Sequence, residues 1–208
     1  VYAFDVSAKR LERLKPRLAR AGLNNVRSVA IQNERDVRVQ RLAGKIDRVL
    51  VDAPCSGTGT LRRNPDIKWR AIDVEKLVAT QRAILASAST LLKPGGRLVY
   101  ATCSLLREEN DAVVADFLAS HPDFTPLPAT EILARRQIVL PAAPSPAPIP
   151  AGKEERVGEI VAEPSPHPSP ASGRGGVGEN LLYDTALRLL PHIHHTDGFY
   201  AIALVRRA

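Results

Sequence analysis

The chain has 208 residues, 44% of them apolar and 25% charged, with a formal net charge of +7 and a pI near 9.8. That is enough material for one ordinary globular core. The basic balance favours an anionic partner, nucleic acid first, because Lys and Arg at phosphates gain affinity through counterion release. No apolar run approaches the roughly 18 residues of a membrane span and no charged-then-apolar leader opens the chain, so a soluble cytoplasmic protein is expected.

In chain order, residues 1–5 read as a strand ending in an acid, Asp5. Ser7 is placed to cap a helix whose Leu11, Leu14, Leu18 and Ala21 follow helical spacing, with Gly22 as its stop. Pro16 removes a backbone donor inside that helix and is expected to bend it, at a cost of about 3 kcal/mol. The helix cations Lys9, Arg10, Arg13, Lys15, Arg17 and Arg20 read as readily as a solvated face as they do as a nucleic-acid patch. Strands at 26–31 and 46–51 follow, then a helix capped by Asp73 that carries Leu77, Val78, Leu85, Ala88, Leu91 and Leu92. Lys93-Pro94-Gly95-Gly96 is its stop signal. A strand at 97–101, a helix from about 108 to 119 and a closing strand at 198–205 complete the pattern. This alternation predicts βαβ units and a mainly parallel sheet.

The pattern is interrupted at 141–179, which holds nine of the seventeen prolines and no aromatic residue. Such a composition buries too little apolar surface to offset ordering, so a disordered insertion is predicted. It splits one domain into residues 1–140 and 180–208. The chain also contains no methionine and opens on a strand, which predicts a fragment completed by something upstream.

The two cysteines stand in Val51-Asp52-Ala53-Pro54-Cys55-Ser56-Gly57-Thr58-Gly59 and in Tyr100-Ala101-Thr102-Cys103-Ser104. Without CxxC spacing they predict neither a metal site nor a disulfide framework. Each follows an apolar run, so both thiols emerge at strand ends, where open α/β sheets hold their ligands. With Asp52 beside them they suggest a nucleophile and an assistant. Arg62, Arg63, Lys68 and Arg70 follow the Cys55 loop and are expected to ring the same mouth as phosphate contacts. Duller roles compete. Either thiol alone reads equally well as a small buried hydrophobe. Asp5 could cap the first helix, Asp66 could be a turn residue, and Gly57 and Gly59 could only permit a turn. Trp69 is expected to pack in the core rather than stack on a base, and His192, His194 and His195 to be solvated rather than bind zinc.

Taken together, Asp52 to Gly59, Arg62-Arg63-Asn64-Pro65-Asp66-Ile67-Lys68-Trp69, Leu92 to Gly96, Tyr100 to Ser104, Glu108-Glu109-Asn110 and Asp197-Gly198-Phe199 resemble the Sun (Fmu, Nol/Nop) family of RNA cytosine-C5 methyltransferases. The similarity is closest to its bacterial branch acting on small-subunit ribosomal RNA, and it covers most of the chain outside the insertion. The resemblance implies a Rossmann-like S-adenosylmethionine-dependent methyltransferase sheet. It implies Cys103 as nucleophile, Cys55 as the aid to product release, Asp52 on the target base and the cofactor, and Asp5 on the cofactor ribose. Glu34, with Asp36 as the nearby alternative, stands where the family meets the adenine. Arg62, Arg63 and Lys68 are assigned to RNA, and no metal or membrane is implied.

The chemistry asks for these residue types. A thiolate must add to carbon 6 before carbon 5 of cytosine can accept a methyl group, and the base must first be unstacked. A lowered Cys103 pKa is expected from nearby arginines or from the helix start after Ser104. The family's first strand and its glycine-rich cofactor loop have no counterpart in the sequence. The resemblance places that strand between those ending at Asp5 and Val51, so the chain alone is expected to be unstable or inactive. Two other functions compete: a DNA cytosine-C5 methyltransferase with Cys55 as nucleophile, and a non-catalytic RNA-binding remnant.

Overall fold

The computed structural model describes residues 1–139, 182 and 185–208, and in it the chain forms two sheets. β1 (Tyr2–Asp5) and β2 (Arg27–Ala30) pair in parallel across the helix α1 (Ala8–Arg20). The short helix α2 (Val37–Gln40) leads to the second sheet. Its order is β3 (Ile46–Asp52), β4 (Leu92–Thr102), β7 (Phe199–Arg206), β5 (Phe124–Leu127), with β6 (Leu187–Leu189) also on β7. The insertion predicted at 141–179 lies outside the described residues.

Three predicted elements need correction. The sheet is not mainly parallel: β3 and β4 are, but β7 runs antiparallel to β4, β5 and β6. Periodicity identifies a strand but carries no direction, and β7 enters between β4 and β5 against their run. Lys93-Pro94-Gly95-Gly96 does not separate helix from strand. Helix α3 (Val74–Thr90) stops at Thr90, and the segment lies inside β4, opposite a register shift between Ile46 and Arg48. The helix expected from about 108 is a 3₁₀ turn, Arg107–Glu109, followed by α4 (Asp111–Ser120). As for Pro16, α1 continues past it to Arg20. Pro16 and Glu12 are both exposed, so the carbonyl deprived of its donor is open to water.

The helix caps follow the sequence. Ser7 Oγ accepts from the Arg10 backbone N–H at 3.3 Å and Asp73 Oδ1 from that of Lys76 at 2.9 Å, each replacing a bond that a first-turn donor lacks. Val78, Gln81, Leu85 and Ala88 form the buried stripe of α3, at the three- and four-residue spacing of one helix face. They close over Leu98 and Tyr100 of β4 and Tyr200, Ile202 and Leu204 of β7, with Val113, Val114 and Phe117 from α4. Each fully buried leucine contributes about 1.5–3 kcal/mol.

β1 and β3 do not pair with one another. Leu50, in the middle of β3, is 71% exposed, whereas Leu98 of neighbouring β4 is fully buried. The break between the sheets thus falls between β1 and β3.

Candidate active site

The register of β3 and β4 brings the two cysteines together. Asp52 lies opposite Ala101, and the Ala53 N–H extends the ladder to the Ala101 carbonyl at 2.9 Å. Cys55 then follows three residues after the end of β3 and Cys103 one residue after the end of β4. Both leave the same end of adjacent parallel strands, and their sulfurs are 3.4 Å apart with both thiols free.

At that separation one thiol donates to the other. The hydrogen bond from Cys55 lowers the Cys103 pKa to about 7, against the opposing influence of burial and of the Asp52 and Glu109 carboxylates. The same bond and burial push the Cys55 thiol up. Of the two, Cys103 is the thiol that loses its proton the more readily. The activation expected from arginines or a helix start is therefore corrected: its source is the second thiol.

A buried brace sets this geometry. Glu109, fully buried, accepts from the Ser56 N–H at 2.8 Å, from Ser56 Oγ at 2.5 Å and from Gln81 Nε2 at 3.0 Å. Gln81 Nε2 also donates to the Pro54 carbonyl at 2.8 Å, so Cys55 is held on both sides. Asn110 does the same for Cys103: its Oδ1 accepts from Thr102 Oγ1 at 2.6 Å and its Nδ2 donates to the Ser104 carbonyl at 3.0 Å. The Ser56 and Ser104 hydroxyls, 3.1 Å apart, tie the two loops together. Sequence reasoning quoted Glu109 and Asn110 as motif residues without a role. An acidic run after a strand reads as surface, and only the motif itself marked them.

Removing the Glu109 carboxylate leaves the buried Ser56 and Gln81 donors unsatisfied, at about 1–3 kcal/mol each. Glu109→Ala is expected to lower stability by that order in denaturant unfolding and to raise the pH at which Cys103 is alkylated, as the thiols separate. Glu109→Gln retains an acceptor for Ser56 and removes a charge that holds the Cys103 pKa up, so its alkylation midpoint is expected to fall instead. Equal midpoints in both variants would reject the brace as the source of thiol placement.

Glycines let a third loop reach the site. Gly57 turns the chain at φ +75°, a left-handed conformation suited to glycine. Gly59 has a different function: its N–H donates to the Cys103 carbonyl at 2.9 Å and its carbonyl accepts from the Gly198 N–H at 2.8 Å. A Cβ there would lie 2.7 Å from the Gly198 carbonyl carbon and 2.8 Å from the Cys103 oxygen.

The remaining candidates are dispersed. Asp52 is exposed at the end of β3 and makes no hydrogen bond among the described residues. Asp5 Oδ1 accepts from the Ser7 N–H at 2.7 Å and from the Arg10 guanidinium at 2.8 and 3.1 Å, while its Oδ2 makes none. Asp36 is fully engaged by Arg38 and the Gln32 N–H, and the Arg38 hydrogen bond chiefly holds its carboxyl far below the usual range. Among the described residues the Glu34 carboxylate meets Arg35 alone, at 3.5 Å, while its carbonyl accepts from Ser87 Oγ at 2.6 Å, so of the two carboxylates it is the freer to meet a ligand. Arg62 donates to the His195 carbonyl at 3.3 Å and Arg63 pairs with Asp197, fastening the Cys55 loop to the segment before Gly198. Asp66 pairs with Arg70. His194 Nδ1 accepts from the Leu190 N–H at 2.9 Å, and among the described residues no group of His, Cys, Asp and Glu could hold a metal. No helix there is long and apolar enough to cross a membrane. Trp69 is not core: it is 81% exposed.

The two thiols stand in contact at the carboxyl ends of adjacent parallel strands, the end at which an open α/β sheet holds its ligands. Residues 1–205 match the family described as 16S rRNA methyltransferase RsmB/F. The chain belongs to that family. It is 47% identical over 125 residues to ribosomal RNA small subunit methyltransferase B of Sodalis glossinidius, covering 59% of this chain and 28% of that protein. It is 44% identical over 142 residues to the protein of the same name from Pasteurella multocida, covering 64% and 31%. Among solved structures, a methyltransferase homologue from Pyrococcus horikoshii superposes with a TM-score of 0.62 at 28% identity, over 99% of this chain and 52% of that one. The chain spans less than a third of the length of these curated relatives.

Proposed function

We propose that this chain carries the catalytic thiols of an S-adenosylmethionine-dependent RNA cytosine-C5 methyltransferase acting on small-subunit ribosomal RNA. The supporting observation is the 3.4 Å thiol contact in which Cys103 loses its proton the more readily, in a chain of an rRNA methyltransferase family. The Cys103 thiolate adds to carbon 6 of the target cytosine and moves electron density to carbon 5. S-adenosylmethionine, when bound, supplies the methyl group. Asp52, whose side chain has no partner among the described residues, accepts from the amino group of the base and, as N3 takes a proton from solvent, from N3–H, so the charge that develops on the ring is neutralised there. Carbon 5 then gives its proton to solvent water, the C5–H electrons re-form the ring double bond, and Cys103 leaves as thiolate with Cys55 donating a hydrogen bond to the departing sulfur.

Carboxylate oxygens suit the cofactor's hydroxyl and amine donors: Asp5 Oδ2 the ribose and Glu34, which Arg35 approaches only to 3.5 Å, the adenine. Only Val6 and Ser7 separate β1 from α1, so no glycine-rich loop follows that strand. An upstream segment of the parent protein supplies that grip and a strand between β1 and β3. Lys68 contacts RNA phosphate directly, and Arg62 and Arg63 add charge while holding the loop. A cytoplasmic setting keeps both thiols reduced.

Tritium transfer from labelled S-adenosylmethionine to small-subunit rRNA tests the proposal. Transfer is expected from the chain joined to its upstream segment and not from the chain alone. No transfer by the joined protein would reject the proposal, and transfer to DNA cytosine but not RNA would favour a DNA enzyme.

A further inference from the structure

Trp69 is the chain's single tryptophan, and its exposure has a structural cause. It ends the 3₁₀ helix Pro65–Trp69, where three residues make a turn. Ile67 takes the inward position: it is buried and lies 3.4 Å from where a Gly57 Cβ would stand. Of the five helical residues only Ile67 is buried, and Trp69, two residues on in a three-residue turn, is directed away from it. The segment is also fastened, by Asn64 N–H to the Thr60 carbonyl at 2.8 Å, Asn64 Nδ2 to Thr60 Oγ1 at 3.1 Å and the Arg70–Asp66 pair. The indole is therefore held out by a rigid turn. Lys68 Nζ stands 5.1 Å from its ring centroid, a cation–π contact that puts positive charge beside the aromatic face.

We infer that Trp69 is a stacking platform for an unpaired nucleobase of the RNA, next to the base presented to the thiols. A large exposed aromatic surface in a basic setting suits one ligand class, a flat π-face on a polyanion. Arg62, Arg63, Lys68 and Arg70 surround it in sequence, with Asp66 the one acid among them. It is also close to the chemistry. Ile67 touches Gly57, two residues from Cys55, and Trp69 is two residues from Ile67, each such step spanning at most about 7 Å. Flipping the target base leaves its neighbours without a stacking partner, and the indole replaces one. This inference rests on RNA being the substrate.

The single tryptophan makes its emission a direct reporter. In the free chain the spectrum is expected to be that of a water-exposed indole. Single-stranded RNA is expected to quench it by more than half and shield it from iodide, while duplex RNA of equal length leaves it unchanged. In anisotropy with end-labelled single-stranded RNA, Trp69→Ala is expected to weaken binding roughly ten- to hundredfold and Trp69→Phe to keep most of the affinity. RNA binding with unchanged emission and an unaffected Trp69→Ala variant would overturn the platform and leave the RNA reading intact. A blue-shifted spectrum in the free chain would mean that protein covers the ring, and would overturn it also. Failure of the chain joined to its upstream segment to bind RNA at any salt concentration would reject the RNA reading and the platform with it.

Discussion

Cys55→Ala, in the chain joined to its upstream segment, is expected to accumulate a covalent protein–RNA species that survives denaturing electrophoresis, while repeated turnover falls about 10²- to 10⁴-fold, the usual loss with an acid–base partner. Cys103 can still add to the base, but the 3.4 Å donor that receives it on departure is gone. Cys103→Ser is expected to form no adduct and to lose methyl transfer by on the order of 10⁴-fold or more, as a lost nucleophile does. The free protein gives an independent reading. The reactive form of Cys103 is the thiolate, so its alkylation rate rises with pH through a midpoint at about 7. Without Cys55 that midpoint should move up towards the ordinary thiol value of about 8.5. An adduct mapped to Cys55 in the unsubstituted protein, or an unmoved midpoint in Cys55→Ala, would reverse the assignment of roles.

Gly59→Ala is expected to be the most damaging single methyl group among the described glycines. The atoms it meets, the Gly198 carbonyl carbon at 2.7 Å and the Cys103 oxygen at 2.8 Å, are backbone and cannot rotate away. Overpacking of this kind costs about 1–3 kcal/mol. Relief requires moving the Cys103 loop, and a displacement of about 1 Å at a reacting group costs about 10²-fold in rate. Methyl transfer should therefore fall at least that far, with a lower melting temperature and a changed Cys103 alkylation rate. Gly22→Ala is the matched control. Gly22 also has positive φ, at +65°, but a Cβ there meets nothing within 4 Å, so backbone strain alone should cost stability without touching the thiols. Equal effects at the two positions would mean that the crossing does not position Cys103.

The thiol pair was legible in the sequence because its geometry follows from two strand ends and one register. Two apolar runs closing on Asp52 and Thr102, joined through a helix, are neighbouring parallel strands in any right-handed crossover. Ser7 and Asp73 were legible as caps for a similar reason, since the interaction spans only three residues. What escaped were the long-range choices. The Glu109 brace reaches 53 residues back to Ser56, and no local pattern distinguishes that glutamate from its exposed neighbour Glu108. Trp69 was misplaced because an aromatic after an isoleucine reads as core, whereas a 3₁₀ turn can bury only one of the two. The activation of Cys103 was ascribed to arginine or a helix end because the thiol-to-thiol distance, which decides it, is written nowhere in the composition.

The division into two sheets gives the molecule a firm half and a soft half. β1 and β2 contribute four residues each, and a two-stranded sheet of that size is marginal without further support. Helix α1, which covers it, buries only Leu11. The thiols stand on the other half, at the ends of strands whose core is built from the buried side chains of α3, β4 and β7. Sub-global opening then begins at the Asp5 end, at a free energy well below that of unfolding the whole chain. In the chain as it stands the carboxylate at Asp5 can be lost and regained while Cys55 and Cys103 keep their contact, and a strand between β1 and β3 would join these two reserves of stability into one.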